Sequence, residues 1–159
     1  MNRHIPLLFS FSDRVIGMGF TADVISYGRV LAVEENNEVW IYGVEPGALA
    51  ANGSDPKEAL ESFRLSFTNV LRDTAAESHT FEAFSRTVEA FFADVNDANA
   101  TEWALAVEAV RSGKIDVANV RREPAESRRF VQVREVVFST TGQRDYEVTG
   151  SEISSAVAA

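Results

Sequence analysis

Cysteine is absent from the 159 residues, so disulfides, thiolate metal sites and a cysteine nucleophile are all excluded. Histidine is nearly absent too. His4 lies in the N-terminal arm and His79 in a connection between two helical patterns, with no metal-ligand spacing between them. Both read as surface residues. No serine sits in a G-x-S-x-G elbow, and no internal repeat or low-complexity tract divides the chain. No apolar run approaches the length of a membrane span, and IPLLFSF, before Asp13 and Arg14, is too short for a secretory signal. The expectation is a cytoplasmic protein with no membrane partner, no metal and no cofactor.

Positive charge is scarce: 15 Lys+Arg stand against 24 Asp+Glu, a formal net charge of −9. The imbalance is confined to one part of the chain. Residues 1–110 hold 17 acidic and 7 basic side chains, whereas residues 111–159 hold 7 and 8. An acidic face repels phosphates and can steer a basic partner into place, and it also serves solubility. Arg121, Arg122, Arg128 and Arg129, with Lys114 nearby, form the one basic concentration. They could touch phosphate, an acidic partner or a second copy of the chain, or simply make a solvated loop. No helix-turn-helix or basic recognition helix follows them, so direct DNA binding is not expected.

What is present is a strand-rich beginning, a helical middle and a return to strands. IPLLFSF alternates like a strand. Phe20 to Glu34 is rich in β-branched residues and reads as a long or bent strand, with Gly28 at the bend. Asn36-Asn37 suits a tight turn, because asparagine tolerates positive φ. Glu38 to Val44 has apolar bulk on both faces, as expected of a central strand covered on both sides.

Asp55, Pro56 and Glu58 open a helix as N-cap, first-turn proline and capping-box acid. Its stripe is Leu60, Phe63, Phe67, Val70 and Leu71, which should pack on the strand Val39–Val44. A second helix from about Thr80 carries Phe81, Phe84, Val88, Phe91 and Val95. A third is expected from Asn99, with Glu102 completing a capping box, Trp103, Ala106, Val107 and Val110 as its stripe, and Gly113 as its end. IDVANV, RFVQVREVVF and DYEVT then read as strands, separated by the polar loop Arg121–Arg128 and a Thr141-Gly142 turn. The fold class is therefore α+β: an antiparallel sheet covered by helices, with a β-hairpin followed by a capped helix. Residues 1–150 form one domain and 151–159 a flexible tail.

Two catalytic readings arise from the residues. Gly17-Met18-Gly19-Phe20-Thr21-Ala22 matches G-x-G-x-x-G/A, the loop that brings a dinucleotide pyrophosphate to backbone amides. It would suit a nucleotide- or small-molecule-binding enzyme. The match needs a strand before the loop and a helix after it, and the residues that follow are poor helix formers. Asp23 on a strand could serve two-metal nuclease chemistry, which needs several converging carboxylates. No such set accompanies it on neighbouring strands, and Glu34, Glu35 and Glu38 cluster instead at a hairpin tip.

The segment Val30–Glu34, Val39–Val44, Pro46-Gly47, Gly53, and Asp55 through Glu58-Ala59-Leu60 resembles HicB-like domains, the antitoxin half of a bacterial toxin–antitoxin pair. That portion spans about residues 20–75. The resemblance implies a degenerate RNase H-like sheet in a non-enzymatic protein that masks a small basic ribonuclease, HicA. Glu34, Glu35 and Glu38 are the residues expected to meet such a partner. Where the family often carries a C-terminal DNA-binding segment, this chain has two further helices and strand-like runs. A homo-oligomer and a stand-alone role remain compatible with it.

Overall fold

The computed structural model describes residues 2–118, 120–138 and 154–159. β1 (Arg3–Ile16) and β2 (Thr21–Glu35) form a long antiparallel ribbon, continued by β3 (Glu38–Glu45) and β4 (Ala50–Gly53). Three helices follow, α1 (Pro56–Glu77), α2 (Phe81–Ala93) and α3 (Asp97–Arg111). The chain then returns to the sheet as β5 (Arg122–Glu123), β6 (Phe130–Glu135) and β7 (Ser154–Ala158). The strand order is β4-β3-β2-β1-β7-β5, and among the described residues only the short β5–β7 pair is parallel. β2 is long enough to hold two partners on one edge: β3 pairs with its second half and β6 with its first. The expected α+β class, a mostly antiparallel sheet with helices, is what the structure shows.

Period-two alternation sorts the β1–β2 ribbon into two faces. Leu7, Phe9, Phe11 and Val15 share one face with Val24, Val30 and Ala32, and α1 and α2 cover it. Phe63 meets Phe9 edge-on at 5.6 Å, and Phe67 meets Phe11 at 4.4 Å. The α1 stripe thus reaches past β3 to the aromatic residues of β1, while Ile41 and Val39 of β3 join the same core. Leu8, Leu31 and Val33 point the other way and pack with Val44, Trp103, Ala106 and Val107 under α3. Covering β3 on both sides is therefore correct.

Turn chemistry accounts for the connections. Asn36 and Asn37 have φ of 51° and 64°, the double positive-φ turn that matches the twist of a two-residue hairpin. Gly28 sits beside the β2–β3 register shift between Arg29 and Val30. A Cβ there would lie 2.2 Å from the Glu45 carbonyl oxygen and 2.6 Å from the Phe9 ring, so no side chain fits. The Asp55 carboxylate accepts from the Glu58 amide at 2.9 Å, as the N-cap pattern requires. Glu58 reaches back one residue beyond the cap, accepting from the Ser54 amide at 2.7 Å and from the Ser54 hydroxyl.

Several expectations are corrected. α3 starts at Asp97 with Asn96 as its cap, because the Asn96 amide donates to the Val44 carbonyl at 3.0 Å and the Pro46-Gly47 loop docks there. Asn99 is freed to donate from its side chain to the Gly43 carbonyl at 3.0 Å. In α2 the fully buried residues are Phe84, Val88 and Phe92, of which Phe92 was not expected. Phe81 and Phe91 are partly buried against the same core, Phe91 stacking with Phe67. Residues 115–118 and 120 form no strand, although Val117 is buried. The end of the chain is no loose tail from Ser154 onward: Ala156, Val157 and Ala158 are buried in β7 against β1. DYEVT and the Thr141-Gly142 turn lie outside the described residues.

Candidate functional site

The second half of β2 and the start of β3 bring Glu34, Glu35 and Glu38 to one end of the sheet. Register makes Glu35 and Glu38 direct cross-strand neighbours, flanking the Asn36-Asn37 turn. Like charges facing each other across a hairpin are destabilising. The same end receives Ser54, Asp55 and Pro56 at the start of α1, and these residues line one shallow open depression with the three glutamates. Compensation is partial. Arg3 pairs with Glu34 at 3.6 Å, and the Asn52 amide donates to Glu38 at 3.3 Å. Glu35 has no ion-pair partner among the described residues. Among the described residues the three glutamates and Asp55 have one ion pair, Arg3 with Glu34, and all four are exposed or half-exposed.

The other sequence candidates fall elsewhere. Gly17 to Phe20 is the β1–β2 hairpin turn, closed by the Gly17 amide on the Phe20 carbonyl at 2.9 Å, and Thr21 and Ala22 already belong to β2. A second strand follows it where a dinucleotide loop needs a helix, and the Phe20 ring fills the space beside Gly17. No helix N-terminus faces a phosphate there, so the loop does not have the form its spacing suggested.

Asp23 is 7% exposed and held by the Arg14 guanidinium through two contacts, 2.8 Å and 3.2 Å. Asp13, the nearest carboxylate along β1, pairs with Val24 and so lies on the opposite face of the ribbon. No group of three or more His, Asp or Glu is placed to hold a metal among the described residues. His4 lies on β1 rather than in a free arm, 3.4 Å from Glu102 of α3. His79 is exposed between α1 and α2.

The four arginines of the basic loop are exposed, as a solvated loop requires, and some of them pair with carboxylates. Arg121 pairs with Glu123 at 2.6 Å, and Arg129 approaches Glu45 at 3.8 Å. Glu45 also serves Arg29 at 3.4 Å, whose guanidinium lies 5.2 Å from the centre of the Trp103 ring. Burial first, and the Arg129 charge second, lower the proton affinity of Arg29 against the attraction of Glu45. Arg128 lies over the Phe130 ring at 5.4 Å. Sequence reasoning found these arginines but not what they surround, because Tyr27 and Ser10 come to them only through the sheet. No helix is long and apolar enough to cross a membrane among the described residues. No protein-family model, curated protein or solved structure matches the chain.

Proposed function

We propose that the chain is a non-enzymatic binding module, a HicB-like antitoxin or a stand-alone relative, that takes a small basic partner protein on the acidic end of its sheet. The observation that carries this reading is the Glu35–Glu38 cross-strand pair. It sets two glutamates directly across from each other with no ion pair to either among the described residues, an arrangement that does not favour stability. Glu34 and Asp55 extend the patch onto the start of α1. A lysine- or arginine-rich surface would relieve the repulsion on docking, and the acidic field would speed its encounter. The degenerate RNase H-like ancestry and the HicA-type partner belong to this proposal through the resemblance of residues 20–75. Asp23 then acts in stability, as the buried partner of Arg14.

The test is direct mixing of the purified chain with a HicA-type toxin, followed by size-exclusion chromatography and stopped-flow association. A discrete complex, with its ribonuclease activity suppressed, is expected. The triple variant Glu34→Gln, Glu35→Gln, Glu38→Gln should associate more slowly. Absence of a complex, or equal association by the triple variant, overturns the reading. Incubation of the chain alone with RNA and magnesium or manganese should give no cleavage. Cleavage abolished by Asp23→Asn in a still-folded protein would make the chain a nuclease instead.

A further inference from the structure

α3 covers only one end of its sheet face. Beyond Leu8 and Arg29, that face carries Ser10 and Tyr27 on the β1–β2 ribbon, and no helix lies over them among the described residues. The segment after α3 closes the side of this floor instead. β5 runs beside β7, with the Arg121 carbonyl accepting from the Val157 amide at 2.9 Å and the Glu123 carbonyl from the Ala159 amide at 2.8 Å. The next turn is tied by the Ser127 hydroxyl on the Pro124 carbonyl at 2.7 Å and by the Ala125 amide on the Ala159 carbonyl at 3.1 Å. The result is a cavity of about 190 Å³ with Ser10 and Tyr27 below, Arg121 and Glu123 to one side, and Ser127 and Arg128 above.

Its chemistry is of two kinds. Tyr27 is 46% exposed and paired with Phe130 across the strands, with ring centres 5.0 Å apart and planes tilted by 34°. The Phe130 ring leans against the Tyr27 ring and holds it in place, and Tyr27 lines the cavity. Two guanidinium groups, Arg121 and Arg128, line the cavity against one carboxylate, Glu123, while the neighbouring Arg29 and Arg129 share Glu45. Arg128 has no ion pair among the described residues. In a chain of net charge −9, this is a local excess of positive charge beside an open aromatic surface.

We propose that this cavity binds a nucleotide, its base stacked on the Tyr27 ring and its phosphate held by Arg121 and Arg128. A planar ring is worth stacking on an exposed tyrosine whatever its edge, and the guanidinium fork suits phosphate oxygens. Ser10 and Ser127 also line the cavity, where a base or ribose edge would need polar partners. A free mononucleotide is the favoured source over a nucleotide within a strand. A polymer would carry further phosphates past an otherwise acidic surface, whereas one nucleotide meets only the arginines. The site stands apart from the acidic end, since Tyr27 and Glu34 are seven residues apart along β2, roughly 23 Å.

Calorimetry and amide chemical-shift mapping with AMP, UMP, inorganic phosphate and a six-nucleotide oligouridylate test this. AMP and UMP should bind and shift Ser10, Tyr27, Ser127 and Arg128. Tyr27→Ala and Arg128→Ala should each weaken AMP about ten-fold or more, while Tyr27→Phe keeps the affinity within about two-fold. Arg72→Ala, on the outer side of α1, and the triple glutamine variant at Glu34, Glu35 and Glu38 should leave AMP affinity unchanged. Phosphate binding as tightly as AMP, with Tyr27→Ala indifferent, would overturn the proposal. So would no binding of either mononucleotide at millimolar concentration, and binding of the oligouridylate alone would do so by assigning the site to a polymer.

Discussion

The Glu58 carboxyl lies on the surface, yet its pKa is held below the usual range. The Ser54 hydroxyl bonds to it most strongly, the Ser54 amide adds to this, and desolvation and Asp55 oppose them. A carboxyl depressed in the folded state stabilises the protein fully above its unfolded pKa, and that contribution is lost as pH falls through the lower folded value. Glu58→Gln should therefore lower stability at pH 6 and lose most of that deficit by pH 3, read from urea midpoints at both pH values. Asp55→Ala, which removes the cap itself, should cost about 1 kcal/mol at neutral pH. These roles were legible because donor and acceptor lie within four residues of each other. Asp23 was not legible in the same way. Its partner Arg14 is nine residues distant, and only the β1–β2 register reveals that the two side chains share a face.

α1 shows what helical spacing can state and where it stops. Phe63, Phe67 and Leu71 are buried as their spacing demands, and the exposed Glu61 and Leu65 fall on another side. Phe63→Ala should cost about 3–5 kcal/mol, through lost burial and an unfilled cavity against Phe9. Arg64→Ala, half-exposed on the same helix, should cost well under half of that, and denaturant titration of both variants checks the contrast. The stripe could name the buried residues but not their target, since the ring partners Phe9 and Phe11 lie more than fifty positions earlier. The start of α3 was misplaced for a similar reason. Asn96 and Asn99 both resemble caps, and the choice falls to Asn96 because the Pro46-Gly47 loop meets it. The Gly47 amide donates to the Asp94 carbonyl at 2.8 Å, and a Cβ on Gly47 would stand 2.3 Å from the Asn96 nitrogen. Backbone on both sides leaves little room to yield, so Gly47→Ala should destabilise by about 1–3 kcal/mol. Hydrogen exchange should show the first turn of α3 opening more readily than α1 in that variant.

Across the whole molecule, charge and aromatic surface are separated. The acidic end gathers Glu34, Glu35, Glu38 and Asp55, while Arg121 and Arg128 stand by Tyr27 on the part of the sheet face over which no helix lies among the described residues. Composition could show the uneven charge but not this geometry, because the segment reaches the sheet through the pairing of β5 with β7 and of β6 with β2. β7 itself was hidden in a run of small residues whose burial depends on the far end of the chain, β1. The separation makes a prediction that neither region could make alone. Association with a basic partner at the glutamates should slow as salt rises from 0.05 to 0.5 M, because exposed charges are screened over about 10 Å at 0.1 M. The triple glutamine variant at Glu34, Glu35 and Glu38 should lower the low-salt rate and flatten this dependence. Arg128→Ala, which removes a positive charge at the Tyr27 cavity rather than at the acidic end, should leave the dependence as steep as in the parent chain. Stopped-flow rates of the three proteins against salt decide it. A slope that Arg128→Ala changes as much as the glutamine variant does would mean that net charge, rather than the acidic end, steers the partner.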